Sequence, residues 1–342
     1  MPEAPTRPPA PGRILIVRLS HLGDVVHALP LFHALREQFP TAALGWAVQP
    51  EFADLLRGLP GLERRFEFDR RGGLGAWRRL RRELRRWNPD LAVDVQGNAK
   101  SGAVLWASGA PRRVGLARRE WREWIGSLGA NAHAPPSEAT HAVDRARHLA
   151  AWLTEANRAP CFQVGLSDDE YRAGERCLEA ALGSAERPVL VQLGRLDDPR
   201  AAGLEQALAQ VDALVDSGRA VLVLAGPAEA GVARDFARSR PPRAGVLGHR
   251  LEPLGARATV ALMAAAAKRN GCFVGGDSGP LHLAIAAGLP VVALAGPQDP
   301  ARTGPWPAPP APSPHQVLRA DDSPDCAPCF ARRCRHAEGA VC

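Results

Sequence analysis

The sequence predicts an α/β protein with two doubly wound domains, and three observations support this fold class. Short apolar runs such as RILIV alternate with stretches whose apolar residues recur at helical spacing, a pattern typical of parallel sheets covered by helices on both faces. The alternation stops in a loop-rich segment near 157–167 and restarts with PVLVQLG. The 342 residues are enough for two ordinary domains, each with its own core.

The individual elements follow the same alternation along the chain. The first half predicts strands at 13–18, ALGWAV and DLAVDVQG, with helices over 24–38, from PEFADLL, over GAWRRLRRELRRW and over roughly 138–155. The second half predicts strands at PVLVQLG, AVLVLAG, GCFVGG and PVVALAG, with helices over 203–217, 228–239, 258–268 and 280–287. Pro30 predicts a kink in the first helix. We therefore expect two Rossmann-like domains whose parallel sheets face a central ligand cleft.

Domain boundaries are predicted from changes in composition. A Pro-rich leader over 1–12 precedes an N-terminal domain over 13–160 and a C-terminal domain over 161–306. A Pro-rich and Cys-rich tail covers 307–342. The leader has no apolar signal-peptide core, and no apolar run has the roughly 18 residues needed to span a membrane. The sequence therefore predicts a cytoplasmic protein.

The balance of charges favours anionic partners. Lys and Arg number 43 against 36 Asp and Glu, which gives a formal net charge of +7. Such an excess suits phosphates, nucleic acid or an acidic membrane surface. A nucleic-acid binder is disfavoured, because no platform of alternating basic and aromatic residues and no known nucleic-acid motif is present.

The segment GGDSGPLH, residues 275–282, predicts a phosphate site. A strand leads into Asp277, Ser278 and Gly279, and Pro280 favours the first turn of a helix. Glycine lets an anion approach the backbone closely, and the helix dipole favours a phosphate there. His282 lies within the first turn and is expected near the same anion. The residues alone leave a simple capping role for Asp277 or Ser278 open.

A second candidate site lies in RLSHLGDVVHALP, residues 18–30. Asp24 stands where the predicted first strand gives way to the first helix. An aspartate in that position is either a helix cap or a general base. Its spacing does not decide between the two roles.

These segments carry a resemblance to a known family. DSGPLHLAIAAGLPVVALAGPQDPARTGP resembles the nucleotide-sugar half of the bacterial ADP-heptose:lipopolysaccharide heptosyltransferases, glycosyltransferase family 9. Four segments of the first half of this chain resemble, in the same order, the other half of these family proteins. They are ILIVRLSHLGDVVHALPLFHALREQFP, DVQGNAKSG, REWIGSL and HAVDRARHL. The resemblance runs from Arg13 to Trp306, and GDVVHALP is most similar to the type that adds the first heptose.

The resemblance implies the GT-B arrangement and an inverting glycosyltransferase. It implies that the N-terminal domain binds the acceptor, Kdo-lipid A of the lipopolysaccharide inner core, and that the C-terminal domain binds ADP-heptose. Asp24 occupies the position of the family's general base, just before the first helix. The transfer is expected to need no cofactor, and the enzyme is expected to lie peripherally on the cytoplasmic face of the inner membrane.

The remaining site residues also follow from the resemblance. Asp277 is expected to bind hydroxyls of the donor sugar, Glu229 the adenosine ribose, and Ser278, Gly279 and His282 the diphosphate. On the acceptor side the family positions correspond to Lys100, Arg122, His141 and Arg145, of which the last two are expected on one helix face. For Glu229 and these four residues, an ordinary surface or packing role stays open.

The chain departs from the family in one donor segment. Where an Arg-Asp-Asp-Lys-like segment is usual, this chain has GRLDDPRAAGL, with Pro199 in place of the lysine. Gly194, Arg195 and Arg200 are therefore the candidate donor-binding residues there, although arginine binds phosphate with a different geometry from lysine. This departure leaves two alternatives open: a related transferase with another nucleotide sugar or acceptor, and a non-catalytic nucleotide-sugar-binding homologue.

Two further features carry alternatives of their own. The tail contains four closely spaced cysteines, Cys326, Cys329, Cys334 and Cys342. Their spacing suits a tetrahedral structural zinc and, less well, an iron–sulfur site; unligated thiols or a disulfide formed on isolation are the alternatives. The basic helix over 77–87 offers arginines to lipid phosphates or is an ordinary solvated face. Its apolar stripe of Trp77, Leu80, Leu84 and Trp87 is interpreted as core.

Overall fold

The computed structural model describes residues 10–155, 157, 159–193, 204–226, 229–250, 252, 254–296, 298–309 and 312–319. The chain divides into two compact units. The first contains Met1–Ala139 and Asp144–Cys161, and the second contains Thr140–Val143 and Phe162–Cys342. In the part of the chain that is described, no helix combines the length and the apolar character needed to cross a membrane.

The first unit is built on a six-stranded parallel sheet with the order β3-β2-β1-β4-β5-β6. Its strands are β1 (Arg13–Val17), β2 (Ala43–Val48), β3 (Leu62–Glu67), β4 (Leu91–Asp94), β5 (Arg112–Gly115) and β6 (Ala132–His133). Its helices are α1 (Leu22–Gln38), α2 (Gly73–Trp87), α3 (Ala99–Ser108) and α4 (Ala142–Thr154), the last of which begins in the segment assigned to the second unit. Three 3₁₀ helices cover Pro50–Leu56, Arg118–Glu120 and Trp124–Gly129.

The second unit repeats this arrangement with the order β9-β8-β7-β10-β11-β12, again in parallel. Its strands are β7 (Val189–Gln192), β8 (Val221–Leu224), β9 (Leu247–Arg250), β10 (Cys272–Gly276), β11 (Val291–Ala295) and β12 (Gln316–Arg319). Its helices are α5 (Asp168–Leu182), α6 (Leu204–Asp216), α7 (Ala230–Ser239), α8 (Ala256–Lys268), α9 (Gly279–Ala286) and α10 (Pro300–Thr303). Counted from its own first strand, each sheet has the order 3-2-1-4-5-6 of a doubly wound nucleotide-binding fold.

The predicted α/β fold class is confirmed, and burial explains why the central strands were visible in the sequence. Ile14, Leu15, Ile16 and Val17 of β1 are fully buried, as expected for a parallel strand covered on both faces. The helix predicted to begin at PEFADLL is present, and Pro50–Leu56 forms it as a 3₁₀ helix. Pro30 lies inside α1, which is assigned as one helix from Leu22 to Gln38.

The interpretation of the apolar stripe on α2 as core is confirmed. Leu80, Leu84 and Trp87 are buried, and the Trp87 ring meets the Phe66 ring of β3 edge-on with 5.2 Å between centroids. Trp77 is half-buried against a neighbouring phenylalanine ring. The stripe therefore attaches α2 to the sheet and leaves the arginines of α2 exposed.

Candidate active site

Asp24 and Asp277, the central residues of the two candidate clusters, each lie where their own sheet changes winding direction. The order reverses between β1 and β4 in the first sheet and between β7 and β10 in the second. In doubly wound sheets, ligands bind beyond the carboxyl ends of the strands at this switch point. Asp24 follows β1, and Asp277 follows β10. The segment after β7, with Gly194, Arg195 and Arg200, lies outside the described residues.

Asp24 is held at the start of α1 by two contacts. It is the third residue of the helix, and the N-cap residue is His21. Its Oδ2 accepts the backbone N–H of His21 at 3.0 Å, and its Oδ1 lies 2.6 Å from Nη2 of Arg18. The expectation that Asp24 just precedes the helix is therefore wrong. Asp24 supplies the third-residue half of a capping box, so it satisfies an N-cap N–H without being the cap itself.

Arg18 fixes both the position and the charge of Asp24. Its Nη1 donates to the carbonyl oxygen of Val95 at 2.9 Å, which links the ends of β1 and β4. Burial of the Asp24 carboxyl group raises its pKa, but the Arg18 guanidinium and the hydrogen bond from His21 lower it further, and the pKa lies well below its usual range. The carboxylate is 29% exposed. It is therefore ionised at neutral pH and accessible to a bound hydroxyl.

A second carboxyl group, that of Asp94, ends β4 beside the same switch point. Its Oδ1 accepts the backbone N–H groups of Gln96 at 2.7 Å and Gly97 at 2.9 Å. The residue is fully buried, and this burial raises the pKa of Asp94 to about 6 against the opposing effect of its hydrogen bonds. Asp94 thus shapes the loop DVQGNAKSG and takes up a proton under mildly acidic conditions.

We expect Asp94→Asn to stabilise the protein progressively, relative to the wild type, as the pH rises from about 4 to about 6, and by a constant amount above that. The pKa of Asp94 is higher in the folded than in the unfolded chain, so its contribution to stability is lost as the pH rises through about 6. The asparagine Oδ1 keeps the hydrogen bonds from Gln96 and Gly97. Denaturant unfolding at each pH should show a difference that grows by at most about 1.4 kcal/mol per pH unit. Asp90→Asn is the control, because Asp90 is exposed and also accepts two backbone N–H groups; a pH-independent difference for Asp94→Asn would contradict the prediction.

The second candidate cluster surrounds the start of α9. Asp277 Oδ1 lies 3.1 Å from Nε2 of His282, and its Oδ2 accepts the Thr303 hydroxyl at 2.7 Å. Ser278 is the N-cap residue, is exposed, and makes no capping hydrogen bond with its side chain. Gly279 is the first helical residue. The structure therefore brings the four predicted residues together, with Asp277 fixed by neighbours and the Ser278 hydroxyl uncommitted to the helix.

His282 is predicted to contact a phosphate, but its side chain is buried in this structure. Its ring is only 4% exposed and packs against the Asp277 carboxylate. The histidine therefore orients Asp277 in this structure. Each Asp277 oxygen keeps a second lone pair, so the carboxylate can still accept a hydrogen bond from a ligand hydroxyl.

Three other candidates lie at the ends of helices. Glu229 is the N-cap residue of α7, and its Oε2 accepts the Gly226 N–H at 2.6 Å. Lys100 is exposed in the first turn of α3, and Arg122 is exposed just before the 3₁₀ helix Trp124–Gly129. The Arg122 N–H donates to the carbonyl oxygen of Gly97 at 2.8 Å. The segments that carry Lys100 and Arg122 are therefore adjacent.

The expectation that His141 and Arg145 share one helix face is wrong for His141, which precedes α4. The His141 ring is 5% exposed, its Nδ1 accepts the Val143 N–H, and its Nε2 lies 3.1 Å from the Gly304 carbonyl oxygen. These partners fix the neutral tautomer with the proton on Nε2. Arg145 donates to the Glu120 carbonyl oxygen at 3.0 Å. His141 therefore holds the Gly304 loop, and Arg145 holds the Glu120 turn.

Sequence reasoning did not single out Arg18 or Thr303. A basic residue at the end of the first strand, six residues before Asp24, was the available signal for Arg18. Thr303 lies 26 residues beyond Asp277, and nothing in the spacing connects them. Among the described residues no group of three or more potential metal ligands occurs. The four tail cysteines lie outside those residues.

Comparison with known proteins identifies the family of the chain. The family model for glycosyltransferase family 9 (heptosyltransferase) matches residues 77–338, more than half of the chain. The chain belongs to glycosyltransferase family 9. It is therefore a glycosyltransferase, as the sequence predicted.

The chain is similar over most of its length to individual members of family 9. The lipopolysaccharide heptosyltransferase 1 of Pseudomonas aeruginosa is 29% identical over 340 residues, covering 95% of this chain and 88% of the relative. A solved family 9 structure from Veillonella parvula has a TM-score of 0.74 at 17% identity, covering 90% of this chain and 86% of that one. The Escherichia coli heptosyltransferase WaaC with ADP has a TM-score of 0.72 at 24% identity, covering 90% and 93%. The two solved structures show that the fold is shared.

Proposed function

We propose that this family 9 transferase moves heptose from ADP-heptose to the Kdo-lipid A inner core of lipopolysaccharide, with inversion at the anomeric carbon. The observation that carries the proposal is the ionised Asp24 carboxylate, held by Arg18 at the switch point of the first sheet. The name of the Pseudomonas aeruginosa relative and the ADP-2-deoxy-2-fluoro heptose in a WaaC structure support the same reaction class.

In this proposal Asp24 is the general base. It removes the proton from an acceptor hydroxyl as that oxygen attacks the anomeric carbon, while the bond from that carbon to the diphosphate breaks on the opposite face. ADP leaves with the electron pair, and the proton passes from Asp24 to water. The Arg18 guanidinium keeps the carboxylate ionised and aimed before the acceptor arrives. Proton transfer to a positioned side chain typically accelerates a reaction about 10²–10⁴-fold.

The donor is proposed to bind at the start of α9. The backbone N–H groups of the first helical turn and the Ser278 hydroxyl suit the diphosphate, as does the positive end of the helix dipole. Asp277, oriented by His282 and Thr303, accepts hydrogen bonds from the sugar hydroxyls. Glu229 binds the ribose, and Gly194, Arg195 and Arg200 complete the phosphate site. Arg195, Arg200 and the positive end of the α9 dipole supply the positive charge that the leaving ADP requires, so we propose that the transfer needs no metal ion.

The acceptor is proposed to bind in the first unit. Lys100 and Arg122 are exposed on adjacent segments, and their charges complement the acidic Kdo sugars and phosphates of the lipid. Because the acceptor is a lipid, we propose that the enzyme works at the cytoplasmic face of the inner membrane. In the segment GRLDDPR, Pro199 stands where the family usually has a lysine. This difference favours a second candidate function, a transferase of the same mechanism that uses another nucleotide sugar.

The test is an assay of nucleotide release with Kdo-lipid A as acceptor. We expect ADP release from ADP-heptose that depends on the acceptor, and mass spectrometry should show one added heptose. UDP-glucose and GDP-mannose serve as matched alternative donors. Turnover of one of these in place of ADP-heptose would select the second candidate. Binding of ADP-heptose without turnover on any Kdo-bearing acceptor would contradict the proposed reaction.

A further inference from the structure

Four large apolar side chains stand exposed in one region of the first unit. Trp106 on α3 is 52% exposed, and Trp124, Ile125 and Leu128 on the following 3₁₀ helix are 72%, 55% and 63% exposed. Only seven large apolar side chains are exposed among the described residues, and four of them belong to these two elements. Exposed apolar side chains are normally scattered singly over a protein surface, so a cluster of them indicates an interaction surface.

The two elements that carry these side chains are in direct backbone contact. A Cβ atom at Gly102 of α3 would overlap the Gly126 carbonyl oxygen, and one at Gly129 would overlap that of Gly102. The Ala99 N–H also donates to the Glu123 carboxylate at 3.0 Å. Trp106 lies one helical turn beyond Gly102 on the same face of α3. The four apolar side chains therefore flank one rigid seam, and we call them the α3 patch.

Arginines from α2 border the α3 patch. The Arg81 guanidinium lies 5.7 Å from the centroid of the Trp106 ring, and Arg85 Nε donates to the Ala107 carbonyl oxygen at 3.0 Å. The exposed face of α2 carries further arginines, which are Arg78, Arg79, Arg82 and Arg86. Lys100 and Arg122 add positive charge at the other end of the seam. An apolar centre thus has cations on two sides.

We propose that the α3 patch docks the enzyme on an anionic lipid bilayer, with the tryptophans at the headgroup level and the arginines on lipid phosphates. Tryptophan prefers the interface between water and hydrocarbon, and each basic side chain near an anionic surface adds attraction. A second copy of the chain fits less well, because two surfaces with the same arginine border repel each other. The inference deepens the proposed function, which places the acceptor in such a membrane, but it rests on contacts that are independent of the donor site.

Cosedimentation of the full chain with vesicles tests this surface. We expect binding to phosphatidylcholine vesicles that contain a quarter of phosphatidylglycerol, little binding to phosphatidylcholine alone, and weaker binding in high salt. The double variant Trp124→Ser/Ile125→Ser should bind at least tenfold more weakly. Arg81→Gln should bind about fivefold more weakly, because each basic side chain near an anionic membrane strengthens binding by about that factor. Melting temperatures equal to that of the wild type would show that these surface variants fold.

Two matched controls come from the second unit. Leu318 is 53% exposed, so Leu318→Ser removes a comparable apolar side chain, and Arg238→Gln removes an exposed arginine. Both should bind vesicles like the wild type. Vesicle binding by Trp124→Ser/Ile125→Ser that equals the wild type would overturn the proposal. It would also be overturned if that variant dissociated a dimer in light scattering while neither protein bound vesicles.

The test separates docking from catalysis. Vesicle binding is measured without ADP-heptose or acceptor, so it does not depend on the proposed reaction. With a water-soluble, deacylated Kdo acceptor, Trp124→Ser/Ile125→Ser should release ADP at the wild-type rate. A wild type that binds anionic vesicles but turns over no donor would support the surface and contradict only the reaction. A wild type that is active but does not bind anionic vesicles would contradict only the proposed docking surface.

Discussion

Replacing Asp24 by asparagine should lower the rate of transfer at least a hundredfold while the protein stays folded. The substitution removes the only function of the carboxylate that the reaction needs, which is to accept a proton, and general base catalysis contributes about 10²–10⁴-fold. The asparagine Oδ1 can still accept the His21 N–H, so the capping box at the start of α1 keeps its hydrogen bond. The measurement is the rate of ADP release at saturating donor and acceptor.

The control for Asp24→Asn is another paired aspartate of the same unit. Asp54 is ion-paired with Arg57 at 3.1 Å on the surface, so Asp54→Asn also removes one carboxylate beside an arginine. It should leave the rate unchanged. ADP-heptose should bind both variants as it binds the wild type. If Asp24→Asn turned over at the wild-type rate, Asp24 would be a capping residue and the base would have to be sought elsewhere.

The dependence of kcat/KM on pH distinguishes a general base at Asp24 from a carboxylate with only a structural role. Because Arg18 holds the pKa of Asp24 well below its usual range, the wild type should show no loss of kcat/KM from Asp24 between pH 5 and pH 8. Replacing Arg18 with methionine leaves burial as the main influence, and burial raises the pKa. The acidic limb of kcat/KM should therefore move to higher pH in Arg18→Met. A merely structural Asp24 would change stability without moving this limb.

The sequence predicted those parts of the fold in which local pattern and burial agree. The continuous apolar run of β1 reflects a strand covered on both faces, so it was recognisable. The edge strand β3 reads LERRFE, with Arg64 exposed and only Phe66 buried, and it was missed because edge strands need no apolar run. Helix α5 was missed as well. Its amphipathic stretch carries many charges, and its capping box at Ser167 and Glu170 is the signal that could have located it.

The candidate site divides in the same way. The motif GGDSG directed attention to Asp277, because glycine, a capping residue and proline have positional meanings that can be read locally. The contacts that fix the site are not local. Arg18 reaches the carbonyl oxygen of Val95 only because β1 and β4 are neighbours in the sheet, and Thr303 meets Asp277 through the loop after β11. Such pairs depend on strand order, which the periodicity of one sequence does not specify.

The largest loss of stability is expected on replacing Arg257 with methionine. Arg257 is 2% exposed on α8, and its Nε and Nη2 donate to the two Glu170 carboxylate oxygens at 2.6 Å and 2.7 Å. Its Nη1 and Nη2 also donate to the carbonyl oxygens of Val164 and Gly165 at 3.1 Å and 2.9 Å. One guanidinium thus ties the start of α5 to α8. Methionine fills the space but leaves Glu170 and two carbonyl groups without these donors, which should cost about 3–5 kcal/mol.

Lys268→Met provides the matched control for Arg257→Met. Lys268 ends the same helix α8 and pairs with Glu175 of α5 at 2.9 Å, but both side chains are largely exposed. Removing such a pair should cost at most about 1 kcal/mol. Calorimetry should report the loss in melting temperature, and hydrogen exchange should accelerate along α5 and α8 in Arg257→Met. Equal melting temperatures for the two variants would contradict the prediction.

The dependence on pH gives Arg257→Met a second, independent readout. The hydrogen bond from Arg257 holds the pKa of Glu170 at about 2, below its unfolded value of 4.5. This stabilisation is therefore present above about pH 4.5 and lost as the pH falls toward 2. In Arg257→Met the pKa of Glu170 should return toward its unfolded value, so the variant should lose less stability than the wild type between pH 5 and pH 3. Adding Glu170→Gln to Arg257→Met should recover part of the lost stability at neutral pH, because the unpaired charge is then gone. If the double variant were as unstable as the single one, the loss would have to come from the unsatisfied carbonyl groups of Val164 and Gly165.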